Sequence, residues 1–272
     1  MQQEHSYPTP HRRWVTSGDT RYHYRVAGEA QRERLPLVLV HGLGVSSAYW
    51  ARLQPLLAAR RPVYAPDLPG FGHTTRPRAL LDTVALGRAL GEWMDAVGLT
   101  RVHLLGHSLG GPVAAEFARQ QPAYVDRLIL VGATIGARGA SAPHQTLALL
   151  RDGLRESPSL FRVILRDYLR AGIRRVIGTD MAADHNDTIA TVAQLAMPLL
   201  VVRGERDGVV PMREIEQLLR AAPHATFATI NRAAHAVHWS QPDALAVVIN
   251  AFLDDEAISD ATRVHSQCVR DR

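Results

Sequence analysis

The chain has 272 residues, 46% hydrophobic and 21% charged, which suits one large domain or one domain with a small insertion. Its formal net charge of +5 comes with 31 basic residues, all arginine and dispersed along the chain, so no nucleic-acid footprint is expected. The single Cys268 excludes a disulfide framework and a cysteine-based metal site, and no apolar run approaches the roughly 18 residues of a membrane span.

Residues 1–12 are polar and are expected to be loose. They lack an apolar core of signal-peptide length, and a cytoplasmic address is expected. "WVTSGDTRYHYRV" (14–26) reads as a hairpin about the Ser17-Gly18-Asp19 turn. "LPLVLV" (35–40) is a continuous apolar run of the kind buried on both faces of a parallel sheet. The chain then alternates between helical and extended patterns. "AYWARLQPLLAA" is helical, "RPVYAPD" extended, and "TVALGRALGEWMDAVG" helical with Gly98 as its C-cap. "RVHLLG" is extended, "LGGPVAAEFARQQP" helical and "VDRLILVG" extended. The rhythm resumes with strand "MPLLVVRG", helix "MREIEQLLRAAP", strand "HATFATI" and helix "PDALAVVINAFLDD". This alternation predicts an α/β fold with a mainly parallel, doubly wound sheet. Residues 134–195 offer no strand but at least two amphipathic helices, "SLFRVILRDYLRAGIRRVI" being the clearest. They are read as a helical cap inserted into a core made of 1–133 and 196–272, the alternative being helices packed flat on the sheet. Residues 254–272 are polar enough to predict a second loose tail.

Gly106-His107-Ser108-Leu109-Gly110 falls between a predicted strand and a predicted helix, the context in which a serine is raised on a sharp turn as a nucleophile. Ser108 as a simple N-cap is the competing reading. Here the chain resembles the α/β-hydrolase family over about residues 14–253. The resemblance is carried in order by "LVHGLG", "PDLPGFGHT", "GHSLGG", "LLVVRGERDGVVP" and "AAHAVHWSQPDAL". It is nearest to small, cofactor-free serine hydrolases with a helical cap. The family implies a triad in the order nucleophile, acid, histidine. Asp207 is then the acid, with a surface ion pair to Arg206 as its alternative. His235 is the favoured base and His238, expected to face pocket or solvent, the competitor. Ala234 stands where the family usually has glycine, so the loop there is expected to differ slightly. The oxyanion donors implied are the backbone N–H groups of Leu109 and, by resemblance, Leu43. His41 is expected to brace its loop, and Asp67 to shape a turn without a catalytic role.

No metal or cofactor is expected; Asp184 and His185 alone are too few ligands for a metal site. A serine nucleophile selects acyl transfer, because displacement at carbon would leave an ether that water cannot cleave. The leading expectation is hydrolysis of a small carboxylic ester. Carbon–carbon bond hydrolysis of an aromatic ring-cleavage product, a perhydrolase or haloperoxidase-like activity, and a hydrolase-like small-molecule receptor are the alternatives. The expected partner is a small ester-like substrate, with neither nucleic acid nor membrane, and the chain a monomer or homodimer.

Overall fold

A computed structural model describes residues 7–135, 157–183, 187–222, 224–257 and the backbone of 263–265. Among the described residues nine strands form one sheet: β1 (His11–Ser17), β2 (Thr20–Ala27), β3 (Leu37–Val40), β4 (Val63–Pro66), β5 (Val102–His107), β6 (Val125–Val131), β7 (Leu199–Gly204), β8 (Ala225–Ile230) and β9 (Arg263–His265). Their order is β1-β2-β4-β3-β5-β6-β7-β8-β9. The six from β4 to β8 run parallel, with antiparallel strands at both edges. This is the doubly wound sheet that the alternating pattern predicts.

The central strands are apolar on both faces because helices cover both. Val38, Val40, Leu104, Leu128 and Val201 point to one side. There they meet α2 (Thr83–Val97), α3 (Gly110–Gln120) and α7 (Met212–Ala221). Leu37, Leu39, Leu105, Ile129 and Val202 point to the other, against α1 (Gln54–Ala58) and α9 (Pro242–Leu253). The period of two along each strand thus sorts one continuous apolar run into two cores. The ends of α2 follow the sequence: Asp82 accepts the Ala85 N–H at 2.8 Å, and Gly98 closes the helix at φ 75°.

Between β6 and β7 lie α4 (Pro158–Ala171), α5 (Ile173–Ala183) and α6 (Thr188–Val192). The long helical pattern divides at Gly172, whose φ is 83°. Val192 of α6 joins the core beside α3. By contrast α4 and α5 lie against the loops that leave β3 and β4. Ser46 donates to Asp167 at 2.6 Å, and Arg175 donates to the Pro77 carbonyl at 2.7 Å.

The described residues near both ends, 7–12 and 254–257, are more engaged than their composition predicts. β1 starts at His11, because its polar residues pair with β2 along their full length. Asp254 receives Arg34, Arg60 and Arg61, Asp255 receives Arg127, and residues 263–265 add an edge strand to β8. Charge that reads as a solvated tail is here spent on ion pairs. Cys268 lies outside the described residues. Among the described residues no helix is long and apolar enough to cross a membrane.

Candidate active site

In the sheet order β3 lies beside β5, while the chain leaves β3 toward one edge and leaves β5 toward the other. Such a reversal opens a crevice at the carboxyl ends of the two strands. Ser108 stands there, between β5 and α3, with φ 53°. That left-handed conformation costs an L-residue roughly 1–2 kcal/mol. The turn is held by its surroundings: the Ser108 N–H donates to the Val131 carbonyl at 3.2 Å. The Ser108 carbonyl accepts from Gly111 at 2.9 Å and Thr134 at 3.3 Å. A Cβ on Gly106 would meet the Gly110 carbonyl oxygen at 2.1 Å, and one on Gly110 the Val40 oxygen at 2.3 Å. Both glycines are therefore steric requirements of the turn. The N-cap reading of Ser108 fails, since the cap residue is Leu109 and no side chain caps the helix.

The loop after β3 runs beside this turn: a Cβ on Gly42 would lie 3.2 Å from Ser108 Cβ. Buried His41 holds the loop through both ring nitrogens. Nδ1–H donates to the Gly42 carbonyl at 2.8 Å, and Nε2 accepts the Leu68 N–H at 3.0 Å. That pattern requires a neutral ring, and burial lowers the His41 pKa against the pull of Asp67. Leu43 follows between Gly42 and Gly44. Gly44 has φ 75°, and any Cβ there would enter the ring of Tyr168 on α4. Leu43 and Leu109 thus lie on two loops that meet at Ser108.

Asp207 follows β7, with its carboxylate wholly buried. Oδ1 accepts the N–H groups of Val209 at 2.8 Å and Val210 at 3.0 Å. Oδ2 lies 3.1 Å from His235 Nδ1. Burial alone would raise this carboxyl's pKa. Attraction and hydrogen bonding from His235 and the two amides outweigh it, and the pKa falls below the ordinary range. A buried acid of this kind is not one half of a surface ion pair. The Arg203 guanidinium closes the loop by donating to the carbonyls of Gly204, Glu205, Asp207 and Val210.

His235 is fixed from the side of the Ser108 turn. His107, the residue before Ser108, donates from Nε2 to the His235 carbonyl at 3.1 Å, with the ring centroids 4.8 Å apart. Burial, then the neighbouring His235, drives the His107 pKa down to about 3, so His107 is a neutral donor. At the end of β6, Gly132 adopts φ 49°. A Cβ there would stand 3.2 Å from His235 Nδ1 and 3.3 Å from Asp207 Oδ2. Residues 131–134 therefore run between Ser108, which they hydrogen-bond, and the Asp207–His235 pair, which Gly132 touches.

His238 sits elsewhere. It is fully buried in α8 (Val237–Ser240), with ring centroids 4.1 Å from Tyr49, 4.7 Å from His107 and 4.8 Å from Trp50. Neither ring nitrogen has a hydrogen-bond partner among the described residues, and burial holds its pKa well below the usual value. The expectation that it faces pocket or solvent is corrected: the apolar residues that flank it carry it into the core. At Ala234 the left-handed conformation is not used; Arg232 takes it instead, at φ 61°. The loop is therefore compatible with alanine at position 234.

Asp67 shapes its turn as expected, accepting from the Ser47 and His73 amides at 2.6 and 2.8 Å and lying 2.8 Å from His23 Nδ1. His107, Gly132, Tyr168 and Asp167 carry no marker in the sequence. Their parts depend on which strand end or helix face lies opposite, and no local pattern encodes that. Val45, Tyr49, Leu160, Ala236 and Trp239 form a small apolar cluster with Ile164 and Tyr168, joining the loop after β3 to α4 and α8. Asp184 and His185 lie outside the described residues. A cleft lined by Arg101, Arg119 and Arg127 opens at the amino ends of β6 and β7, at the other end of the strands from Ser108. Its arginines are paired with Asp126, Glu116 and Asp255.

Residues 36–185 match the sequence profile of the alpha/beta hydrolase fold family. A 2-hydroxy-6-oxononadienedioate/2-hydroxy-6-oxononatrienedioate hydrolase of Cupriavidus pinatubonensis is 28% identical over 276 residues, covering 88% of this chain and 93% of that one. Among solved structures, the 2-hydroxy-6-oxo-6-phenylhexa-2,4-dienoate hydrolase of a Rhodococcus species superposes with a TM-score of 0.77 at 22% identity, covering 91% of this chain and 99% of that chain. A thermophilic esterase from Thermogutta terrifontis gives 0.77 at 23% identity, with 90% and 98% covered. At such identities the structural likeness speaks for the fold. The profile match spans more than half of the chain, and with the sheet order and the turn at Ser108 it identifies the protein as a member of the alpha/beta hydrolase fold family.

Proposed function

We propose that the chain is a serine hydrolase that cleaves a small carboxylic ester through an acyl-enzyme, with Ser108 as nucleophile, His235 as base and Asp207 as acid. The observation that carries this reading is a buried, ionised Asp207 held on His235 Nδ1 at 3.1 Å, beside a serine in the left-handed region. Donation from Nδ1 to Asp207 leaves Nε2 as the basic nitrogen, the tautomer a proton-accepting imidazole needs. In the reaction, Nε2 takes the Ser108 proton as Oγ bonds to the acyl carbon, and returns it to the departing alcohol. Water then attacks the acyl-serine by the same route in reverse. The oxyanion formed in each half-reaction is assigned to the backbone N–H groups of Leu43 and Leu109, at the start of α3. Loss of one such donor typically costs about 10²–10³ in turnover.

In this reading α4 and α5 cap the crevice. The apolar contacts of α4 with Val45, Tyr49 and Trp239 support an apolar acyl pocket. No cofactor enters the chemistry, and a cytoplasmic monomer or homodimer remains our working description.

Labelling with a fluorophosphonate probe, located by peptide mass spectrometry, tests the proposal. Modification at Ser108 that His235→Ala abolishes supports it. A folded protein that does not label would refute it and favour a receptor. A second reading, carbon–carbon bond hydrolysis of a ring-cleavage product, is favoured by the likeness to the Cupriavidus dienedioate hydrolase across most of the chain. Turnover of a dienone acid alongside short and long p-nitrophenyl esters separates the two.

A further inference from the structure

The outer faces of α4 and α5 are apolar where solvent meets them. Phe161, Leu165 and Leu169 on α4, and Ile173, Ile177 and Met181 on α5, are between 46% and 76% exposed. The four-residue spacing puts three on one face of each helix. Their opposite faces are already used, by Leu160, Asp167 and Ala171 on α4 and Val176 and Thr179 on α5. Six large apolar side chains exposed in 21 consecutive positions mark an interaction surface and not scattered surface residues.

Charge indicates the occupant. Arg162, Arg166, Arg170 and Arg174 each directly follow one of these apolar residues, and all four are exposed. Arg166 pairs with Asp167, and Arg170 lies against His73. Arg162 and Arg174 make no ion pair or hydrogen bond among the described residues, so their charge is available to a partner. Asp180 is the exposed carboxylate on these two helices, Asp167 being buried. A second copy related by two-fold symmetry would bring the arginine rows face to face, which is repulsive. An anionic bilayer suits both features at once. The apolar residues enter the acyl boundary while guanidinium groups reach headgroup phosphates.

We propose that the α4–α5 face docks on an anionic lipid surface. It lies on the helices that cover the Ser108 crevice. The composition gives no sign of a membrane partner because it lacks a span, whereas a helix pair lying in the interface needs none. The proposal is independent of the catalytic reading.

The test is flotation of the full chain with vesicles of phosphatidylcholine alone or mixed with phosphatidylglycerol. The protein floats with the mixed vesicles and is largely released by high salt. Leu169→Ser with Ile173→Ser abolishes flotation. Arg162→Gln and Arg174→Gln each weaken partitioning about fivefold, the equivalent of roughly 1 kcal/mol per arginine near such a surface. None of these changes alters circular dichroism or turnover of a soluble p-nitrophenyl ester. Absence of flotation, equal flotation with neutral vesicles, or a dimer in sedimentation that Leu169→Ser converts to monomer would each overturn the proposal.

Discussion

Asp207 Oδ2 lies 3.1 Å from His235 Nδ1, while Asp207 Oδ1 is committed to the amides of Val209 and Val210. Both carboxylate oxygens are thus acceptors, and an asparagine cannot replace them equally. Its single oxygen would remain with the two amides, and its NH₂ would turn to His235. Nδ1 would then have to accept, placing the proton on Nε2, where it blocks the base. Asp207→Asn is expected to lower kcat by about 10⁴ with little change in circular dichroism. Steady-state kinetics on a p-nitrophenyl ester checks this.

His235 and His238 separate the two candidate bases by experiment. His235→Ala should remove nearly all turnover. His238→Phe should retain it within about tenfold, because the ring packs on Tyr49, Trp50 and His107 without using either nitrogen. A larger loss in the second variant than in the first would reverse the assignment.

Gly132 offers a steric test of the pair. At φ 49° an alanine is strained, and its Cβ would press on His235 Nδ1 and Asp207 Oδ2 at 3.2 and 3.3 Å. Gly132→Ala is expected to cost about 1–2 kcal/mol in urea unfolding. Turnover should fall by about 10², the scale of a displacement of catalytic groups near 1 Å.

Acid stability should decline in two overlapping stages, the first set by buried histidines and the second by paired carboxylates. Burial, then the charge of Arg61, lowers the His103 pKa to about 4, so below about 6.5 the unfolded chain binds a proton that the native protein refuses. Stability therefore declines as pH falls from about 6.5 toward 4. Burial works to raise the Asp67 pKa, but the hydrogen bonds and charge of His23 prevail and hold it at about 2, below its ordinary 3.8. Its contribution is complete above about 4 and is lost as pH falls through about 2. Urea midpoints measured across this range check the order, and Asp67→Asn should reduce the decline below about 4 and leave the decline above it unchanged.

The fold was legible wherever one pattern met one environment. The run at 37–40 is apolar throughout because both faces of β3 are covered, and Gly98 closes α2 because only a left-handed residue fits there. The glycine spacing around Ser108 was legible for the same steric reason. His238 was not: its neighbours in sequence say nothing of Tyr49, from the loop after β3, or of His107, from the end of β5, which bury it. The tail at 254–257 misled because ion pairs to Arg34, Arg60, Arg61 and Arg127 are long-range contacts that composition does not register. Gly132 and His107 belong to the same class, since each matters through a group more than 70 residues away.

Rapid quenching of the enzyme with p-nitrophenyl acetate, followed by peptide mass spectrometry, probes covalent catalysis at Ser108 most directly. The peptide containing Ser108 should carry one acetyl group during turnover and lose it when substrate is exhausted, and Ser108→Ala should neither acetylate nor turn over. Undiminished hydrolysis by Ser108→Ala, or transient acetylation confined to another residue, would contradict it.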